Sequence, residues 1–207
     1  MSTRDLLTPD NHALLFIDHQ YLQLLTLRSH DAATVINNTT AVEKASTIFN
    51  IPTLHTTAFV EDQDLVCEIQ SPKQKRLDRT TLNSWDNPRV VGWVKQTGRK
   101  KLVMAGLWTE VCLQLPVLSA LADGYDVYFI SDASGGSSRE AHDMAVQRMI
   151  QAGAIPTTTW SYVGELQRDW GRDATAADVV NLFEEHGGGF GEGLRWAQLL
   201  GLKDGPR

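Results

Sequence analysis

The sequence predicts an α/β fold in which a doubly wound, mostly parallel sheet lies between two layers of helices. Short, continuous apolar runs recur along the chain, as in strands that are buried on both faces. Segments with helical periodicity separate these runs, and strands that alternate with helices form parallel sheets with right-handed crossovers. The chain of 207 residues suits one core of this kind and shows no repeat of fixed period.

The first elements are a strand, a helix and a second strand. Residues 12–17 form a continuous apolar run that Asp18 closes, which favours a strand in the interior of the sheet. Asp31 is a suitable N-cap for a helix that runs to about Phe49. A second strand is expected over residues 53–57, after an Ile-Pro pair that restarts the chain.

The next stretch, residues 58–85, is polar, mixed in charge and weakly periodic, so we expect a long loop with at most one short helix. Loops of this length in a compact domain are often functional. Asn87 and Pro88 then have the residue types of an N-cap and a first helical position, and they predict a helix over residues 89–96 that Gly98 ends.

The second half of the chain continues the alternation. Strands are predicted over residues 101–105 and 126–130, with a helix over residues 111–121 between them. A further helix over residues 138–152 leads to a fifth strand over residues 154–159, whose proline suggests an edge position.

The pattern weakens near residue 170, which we take as a domain boundary. Residues 1–170 are predicted to form the catalytic domain, and residues 171–207 a C-terminal extension that contributes to an oligomer contact. In this extension we expect a helix over residues 175–186, followed by a glycine cluster, residues 187–191, that breaks regular structure.

Composition limits the partners. The formal net charge is −6, and no run of Lys or Arg marks a helix face, which argues against nucleic acid and anionic membrane surfaces and favours a small molecule. Two cysteines, Cys67 and Cys112, are too few for a disulfide framework. Residues 1–5 lack the basic-then-apolar pattern of a secretion signal, and no apolar run approaches the roughly twenty residues of a membrane span. We therefore expect a cytoplasmic protein.

Cys112 is the candidate nucleophile, because it falls in the first turn of a helix that follows a buried strand. The dipole and free N–H groups of such a turn stabilise an anion, so we expect the thiol pKa to be depressed. A lone cysteine near a helix start is more often a small buried hydrophobe, so other residues must support the assignment.

Two further residues are candidates for the same edge of the sheet. Asp18 follows the first strand, and the carboxyl ends of parallel strands meet at one rim, where ligands bind. Arg79 lies on the polar stretch, from which it can reach this rim and favour both anions. The ordinary alternatives are a helix-capping carboxylate and a solvated arginine.

No metal or cofactor is expected. The six histidines show no pair at metal-ligand spacing, and neither cysteine has a thiol partner nearby in sequence. His19 and His55 are placed where they can meet across the strand ends, but two imidazoles alone make a poor catalytic metal site.

Four segments resemble the isochorismatase-like cysteine hydrolases, in that family's order and with the wording of its YcaC-like bacterial subgroup. They are residues 16–20 (FIDHQ), 79–86 (RTTLNSWD), 105–112 (AGLWTEVC) and 131–135 (SDASG). The resemblance covers about residues 10–170 and implies a three-layer, Rossmann-like fold, homo-oligomers and an Asp–Lys–Cys triad.

The resemblance assigns the triad positions to Asp18, Arg79 and Cys112. Arginine replaces the family's lysine, as in some YcaC-like members, and it can hold a carboxylate but cannot readily give up a proton. The zinc-binding Asp/His/His set of the nicotinamidase branch has no convincing match here.

The resemblance also implies residues that surround the triad. A non-proline cis peptide is expected at Trp108–Thr109, with the N–H groups of Val111 and Cys112 turned toward an oxyanion. Gln20 and Asn83 complete the set of expected substrate-binding residues.

The resulting hypothesis is a hydrolase that acts on a small amide, carbamoyl or ester substrate, with C–N bonds favoured, through a covalent acyl-enzyme at Cys112. The alternative is a small-molecule-binding homo-oligomer of the same fold that has little or no catalytic activity. A redox role is a weaker third interpretation, because Cys112 has no resolving partner nearby in sequence.

Overall fold

The computed structural model describes residues 6–58, 64–70 and 74–201. Within them the chain forms a six-stranded, all-parallel sheet with helices on both faces, which confirms the predicted fold class. The strand order is β3-β2-β1-β4-β5-β6, so the first half of the chain builds one side of the sheet and the second half builds the other. The order reverses between β1 and β4, and that is where such sheets bind ligands.

The predicted strands and helices lie close to the positions that the periodicity indicates. The strands are β1 (His12–Ile17), β2 (Thr53–Ala58), β3 (Lys75–Arg79), β4 (Lys101–Gly106), β5 (Asp126–Ile130) and β6 (Ile155–Thr157). The helices are α1 (Tyr21–Leu25), α2 (Ala32–Ile48), α3 (Pro88–Thr97), α4 (Gln114–Ala122), α5 (Arg139–Gln151), α6 (Thr159–Gln167), α7 (Asp173–His186) and α8 (Gly189–Leu199). The structure adds four elements that the sequence analysis does not predict, β3, α1, α6 and α8.

Side-chain caps begin three of the helices, two of them at the residues that the sequence predicts. Asp31 accepts a hydrogen bond from the Thr34 N–H at the start of α2, and Asn87 accepts one from the Arg89 N–H at the start of α3. Ser138 does the same for α5 through the Ala141 N–H. Each side chain satisfies a backbone donor that has no partner within its helix.

The expected long loop over residues 58–85 is wrong in one respect, because it contains a strand. β3 pairs in parallel with β2 at the edge of the sheet, and only one of its five residues, Leu77, is a buried apolar side chain. A short 3₁₀ turn at Cys67–Ile69 precedes it. Residues 59–63 and 71–73 of the same stretch lie outside the described residues.

The two faces of the sheet bury two apolar cores, as the period of two along a strand requires. Leu14 and Phe16 of β1 pack with α2, α6 and α7. Ala13, Leu15 and Ile17 face the opposite way and pack with α3 and α4. Cys112 belongs to this second core, which places the candidate nucleophile on the α3 and α4 side of the sheet.

The C-terminal extension is helical beyond the segment that the sequence predicts. Val179 and Leu182 of α7 are buried in the core that contains α2, and the boundary at residue 170 stays a prediction. The glycine cluster does not end regular structure, since α8 begins inside it at Gly189. A Cβ at Gly191 would lie 2.3 Å from the Phe183 carbonyl oxygen, so this glycine permits the close approach of α8 to α7.

Candidate active site

The candidate site lies where β1 and β4 end side by side. Ile17 is in register with Gly106, so Asp18 and the turn that carries Cys112 leave the sheet at neighbouring points of one rim. The structure thus brings together the two residues that the sequence assigned to this rim.

Asp18 is held by the neighbouring strand as well as by its own. Its N–H donates to the Thr56 carbonyl at 3.0 Å, and its Oδ1 accepts a hydrogen bond from the Thr56 hydroxyl at 3.3 Å. Its φ of 57° lies in the left-handed region, which Asp tolerates better than most side chains. Thr56 had not been identified from the sequence, although a polar residue near the carboxyl end of a buried strand beside β1 is a usable signal.

Arg79 is buried against Asp18 instead of extending from a loop. It is the last residue of β3, and the side chains of Arg79 and Asp18 are 1% and 0% exposed. Its Nη2 donates to Asp18 Oδ2, and its Nη1 donates to the Thr81 carbonyl. A planar guanidinium suits this role because it holds a carboxylate in a fixed geometry.

Cys112 lies in a wide helical turn, Thr109–Leu113, that joins β4 to α4. The thiol is within hydrogen-bonding reach of both Asp18 and Arg79, so the three predicted triad residues form one buried cluster. In the same turn the Val111 N–H donates to the Trp108 carbonyl at 3.1 Å, so this donor has a partner within the turn.

The thiol pKa departs from the sequence-based expectation. The pKa of the Cys112 thiol is raised to about 12, mainly by burial and then by the adjacent Asp18, whose effect Arg79 opposes. Burial also raises the pKa of the Asp18 carboxyl, while the positive charge of Arg79 opposes that shift. The expected depression by the helix N-terminus is therefore wrong, because desolvation of the sulfur and the adjacent carboxylate outweigh it.

The cis peptide lies one bond earlier than expected. It joins Leu107 to Trp108, and Thr109 follows in the turn. The Trp108 indole N–H donates to the Gln23 carbonyl at 3.2 Å, which ties the turn to α1. Thr109 is fully buried, with its N–H on the Gly135 carbonyl and its hydroxyl 2.9 Å from His142 Nδ1.

Two expected substrate-binding side chains, Gln20 and Asn83, have hydrogen-bond partners within the protein, and their role in substrate binding stays a prediction. The Gln20 amide donates to the Ala58 carbonyl at 3.0 Å and accepts from the Ala58 N–H at 2.8 Å, which fixes the segment after β1 to the end of β2. Asn83 accepts from the Trp85 N–H, and its amide nitrogen lies 3.0 Å from acceptors on Asp86 and Ser119. These contacts hold the segment after β3 in place.

His19 and His55 do approach one another, but on the α2 side of the sheet. Both rings pack against Phe16, with centroid distances of 5.6 Å and 4.9 Å. His19 Nε2 lies 2.9 Å from the Ala133 carbonyl, and His55 Nε2 lies 3.0 Å from Glu43 Oε2. Within residues 6–58, 64–70 and 74–201, no three His, Cys, Asp or Glu side chains are grouped as they would be around a metal ion.

Comparison with known proteins agrees with this geometry. The model of the isochorismatase domain matches residues 12–161, which contain the six strands and all three residues of the cluster. The chain belongs to the isochorismatase domain family. It is accordingly a hydrolase of that family, as the resemblance implied.

The YcaC proteins are its relatives within the family. The chain is 37% identical to the probable hydrolase YcaC of Escherichia coli over 185 residues, which cover 87% of this chain and 88% of that protein. The crystal structure of that protein, described as an octameric hydrolase of unknown specificity, gives a TM-score of 0.91 at 34% identity and covers 97% of this chain and 100% of that one.

A second YcaC structure is equally complete in its match. The Pseudomonas aeruginosa protein, described with hexane-2,5-diol and covalent acrylamide, gives a TM-score of 0.89 at 34% identity, with 97% of this chain and 100% of that chain covered. The YcaC-like assignment is thereby confirmed.

Proposed function

We propose that this hydrolase cleaves a small amide or carbamoyl substrate, or an ester, through a thioester on Cys112. Asp18 takes the thiol proton as the sulfur attacks the substrate carbonyl carbon. A C–S bond forms and the carbonyl electron pair moves onto oxygen. When the pair returns, the C–N or C–O bond breaks, and the leaving group takes the proton from Asp18.

Water completes the reaction in the same geometry. Asp18, again ionised, accepts a proton from the attacking water, the C–O bond to the acyl group forms, and the C–S bond breaks. The sulfur recovers its proton from Asp18, and the acid product leaves. Arg79 holds the carboxylate in position throughout and does not exchange a proton.

The observation that carries this proposal is the buried contact of Asp18 with both Arg79 and Cys112. A thiol pKa of about 12 means that the resting sulfur is protonated. The proton must therefore move to Asp18 during the attack, not before it. A carboxylate whose pKa burial has raised is a better base for that transfer than one in water.

The turn that holds Cys112 supplies the proposed oxyanion donor. We assign this role to the Cys112 N–H, because the Val111 N–H already donates to the Trp108 carbonyl. Trp108 and Thr109 shape the turn. To Val111, predicted as an oxyanion donor, and to Gln20 and Asn83, predicted as substrate-binding residues, we assign a positioning role.

The chemistry of the relatives is consistent with a nucleophile at this position. The P. aeruginosa YcaC structure is described with covalent acrylamide, an amide whose activated alkene reacts with thiols. For this chain we propose that Cys112 is the residue that such a reagent would modify.

The quaternary structure is also proposed from a relative. E. coli YcaC is described as octameric, and we propose a homo-oligomer here too. Large apolar side chains are exposed on α8, where Trp196 is 62% and Leu199 84% exposed, as expected of a surface that another subunit covers.

No helix among the described residues has the length and apolarity to cross a bilayer, and a cytoplasmic location remains our proposal.

A binding protein without turnover is the second candidate. The raised thiol pKa and an arginine in place of the family's lysine favour it. A panel of short amides, carbamoyl compounds and esters separates the two candidates when wild type, Cys112→Ala, Asp18→Asn and the control Cys67→Ala are compared.

The hydrolase proposal predicts turnover of at least one compound that Cys112→Ala and Asp18→Asn reduce by about a hundredfold or more, while Cys67→Ala leaves it unchanged. Turnover that survives Cys112→Ala would contradict the proposal. Saturable binding without hydrolysis of any compound would favour the second candidate.

A further inference from the structure

The turn that carries Cys112 has a second buried contact, which involves His142 of α5. Its Nδ1 lies 2.9 Å from the hydroxyl of Thr109, the first residue of the turn Thr109–Leu113, and both residues are buried. This imidazole takes no part in the proton transfers of the proposed mechanism. Its contact with the turn still places it one residue away from the reacting groups.

The His142 ring is restrained by its own surroundings. Ser138 caps α5, and the His142 N–H donates to the Ser138 carbonyl at 3.1 Å, so the residue lies in the first turn of a capped helix. The ring packs edge-on against His30, with centroids 4.6 Å apart, and His30 Nδ1 lies 2.8 Å from Ser29 Oγ. A side chain that packing and hydrogen bonds restrain in this way can fix the position of its partner.

The Thr109 hydroxyl is the donor in this contact. It has no other hydrogen-bond partner among the described residues, and a buried hydroxyl without an acceptor is costly. Burial lowers the pKa of His142, so the ring is neutral at pH 7 and can present Nδ1 as the acceptor. Without that acceptor, the turn would have to shift to pair the hydroxyl elsewhere.

Such a shift would reach the nucleophile, because Thr109 and Cys112 are three positions apart in one helical turn. The Thr109 N–H donates to the Gly135 carbonyl at 2.9 Å, so its backbone and its side chain both tie the turn to the segment around the start of α5. At the other end of the turn the sulfur contacts Asp18. A displacement of about 1 Å in such a geometry can cost about a hundredfold in rate.

We propose that His142 is a positioning residue for the nucleophile. By accepting the Thr109 hydroxyl, it holds the turn so that the Cys112 sulfur meets Asp18. This role rests on the proposed function of Cys112, and it adds to the site a side chain that acts through Thr109 and does not touch the reacting atoms.

Two pairs of substitutions separate the hydrogen bond from its surroundings. His142→Asn keeps an acceptor near the position of Nδ1, whereas His142→Phe keeps a ring and removes the acceptor. Thr109→Ser keeps the hydroxyl, whereas Thr109→Val keeps the shape and removes the hydroxyl. Tyr162→Phe is the matched control, since it removes a buried hydroxyl–imidazole contact of the same 2.9 Å length, with His12, in the core on the opposite face of the sheet.

Two reactions of Cys112 are measured on protein whose folding is checked by circular dichroism and by unfolding in urea. The burst with p-nitrophenyl acetate gives the maximal acylation rate and the ester concentration at half that rate. Iodoacetamide at pH 8, followed by peptide mapping, gives the alkylation rate of Cys112 relative to that of the exposed Cys67.

His142→Phe and Thr109→Val should lower the maximal acylation rate at least about tenfold, while the half-saturating ester concentration stays within about twofold. Both should raise the alkylation rate at least about threefold, because a sulfur that moves away from Asp18 forms its thiolate more readily. His142→Asn and Thr109→Ser should stay within about twofold of the wild type in both reactions. Tyr162→Phe should lose stability and keep both wild-type rates.

Unchanged rates in His142→Phe and Thr109→Val, an equal effect of Tyr162→Phe, or no recovery in His142→Asn would overturn the proposal. If His142→Phe does not fold, Thr109→Val and Thr109→Ser decide by the same criteria. A wild-type protein that forms no acyl group on Cys112 would contradict the proposed function instead. The alkylation rates alone would then decide whether His142 holds the turn.

Discussion

The pH dependence of Cys112 alkylation gives the sharpest prediction about the cluster. Burial and the neighbouring Asp18 carboxylate raise the thiol pKa from 9.0 to about 12. Because each unit reduces the thiolate fraction about tenfold below the pKa, Cys112 should carry about a thousandfold less thiolate at pH 8 than an unperturbed thiol. The rate of its reaction with iodoacetamide should therefore continue to rise with pH beyond the pH range in which the rate of a free thiol has levelled off.

Two substitutions shift this profile in opposite directions. Asp18→Asn removes a negative charge and a hydrogen-bond acceptor that raise the thiol pKa, so the inflection should move to lower pH. Arg79→Ala removes a positive charge that lowers the same pKa, so the inflection should move to higher pH. The opposite signs distinguish electrostatic coupling from a general change in access to the sulfur.

The assay is peptide mapping by mass spectrometry after timed alkylation between pH 6 and 11. Because the parent inflection lies near pH 12, its displacement is measured as the alkylation rate at each pH below it, which should be higher in Asp18→Asn and lower in Arg79→Ala. Cys67 is exposed and lies outside the cluster, so its peptide is an internal reference in every sample. Circular dichroism at each pH restricts the fit to folded protein. The reasoning would be refuted if the Cys112 alkylation rate stopped rising at or below the pH at which the rate of a free thiol levels off. A change of the rate in the same direction in both variants would also refute it.

Three further predictions test residues around the cluster and the core. Thr56→Val removes a hydrogen-bond donor to Asp18 and should raise the Asp18 pKa, so the acidic limb of the kcat/KM profile should move to higher pH and kcat/KM on that limb should fall severalfold. The control Thr57→Val removes a hydroxyl that donates to Asp78 and should leave the limb in place. Identical pH profiles for the two variants would contradict this prediction. Trp85→Phe removes the 2.9 Å bond from the indole N–H to Asp123 and should lower the free energy of unfolding in urea by about 1–2 kcal/mol; no measurable change would mean that the bond contributes little. Burial lowers the pKa of His12 from 6.5 to about 4, so on acidification the unfolded state binds a proton at this residue first. His12 should therefore contribute about 3 kcal/mol to a fall in stability from pH 6.5 toward pH 4, to which His19, whose pKa burial lowers to the same value, also contributes. His12→Gln should reduce this slope, and an unchanged slope would exclude His12 as one of its sources.

The parts of the fold that the sequence predicts are those with continuous apolar strands and recognisable caps. Residues 13–17 and 102–105 are apolar throughout because both faces of the central strands are buried, and Asp31 and Asn87 act through local bonds to residues close in sequence. The edge strand β3 gives no such signal. Four of its five residues are charged, and it is a strand because it pairs with β2, a contact that no local pattern encodes.

The C-terminal helix α8 escaped prediction for a related reason. Glycine has a low helix propensity, and the segment contains several, yet Gly191 allows α8 to pack closely on α7. Phe190 meets Phe183 at 5.1 Å between ring centroids, so packing on a neighbouring helix outweighs the propensity of the sequence.

The candidate site was predictable in its members and less so in its electrostatics. Topology alone places Asp18 and Cys112 at one rim, and the resemblance adds Arg79. The thiol pKa depends on burial and on the distance to a carboxylate, which spacing along the chain cannot give. Gln20 was selected for its place in a motif, whereas its amide pairs with the backbone of Ala58.

The central claim, a covalent acyl-enzyme at Cys112, is tested most directly by trapping it. The protein is mixed with p-nitrophenyl acetate, quenched with acid at successive times and digested for mass spectrometry. The account predicts one acetyl group on the Cys112 peptide that appears with the burst of nitrophenol and decays at the steady-state rate, and none in Cys112→Ala. Nitrophenol release at the wild-type rate in that variant, or acetylation confined to the Cys67 peptide, would contradict it.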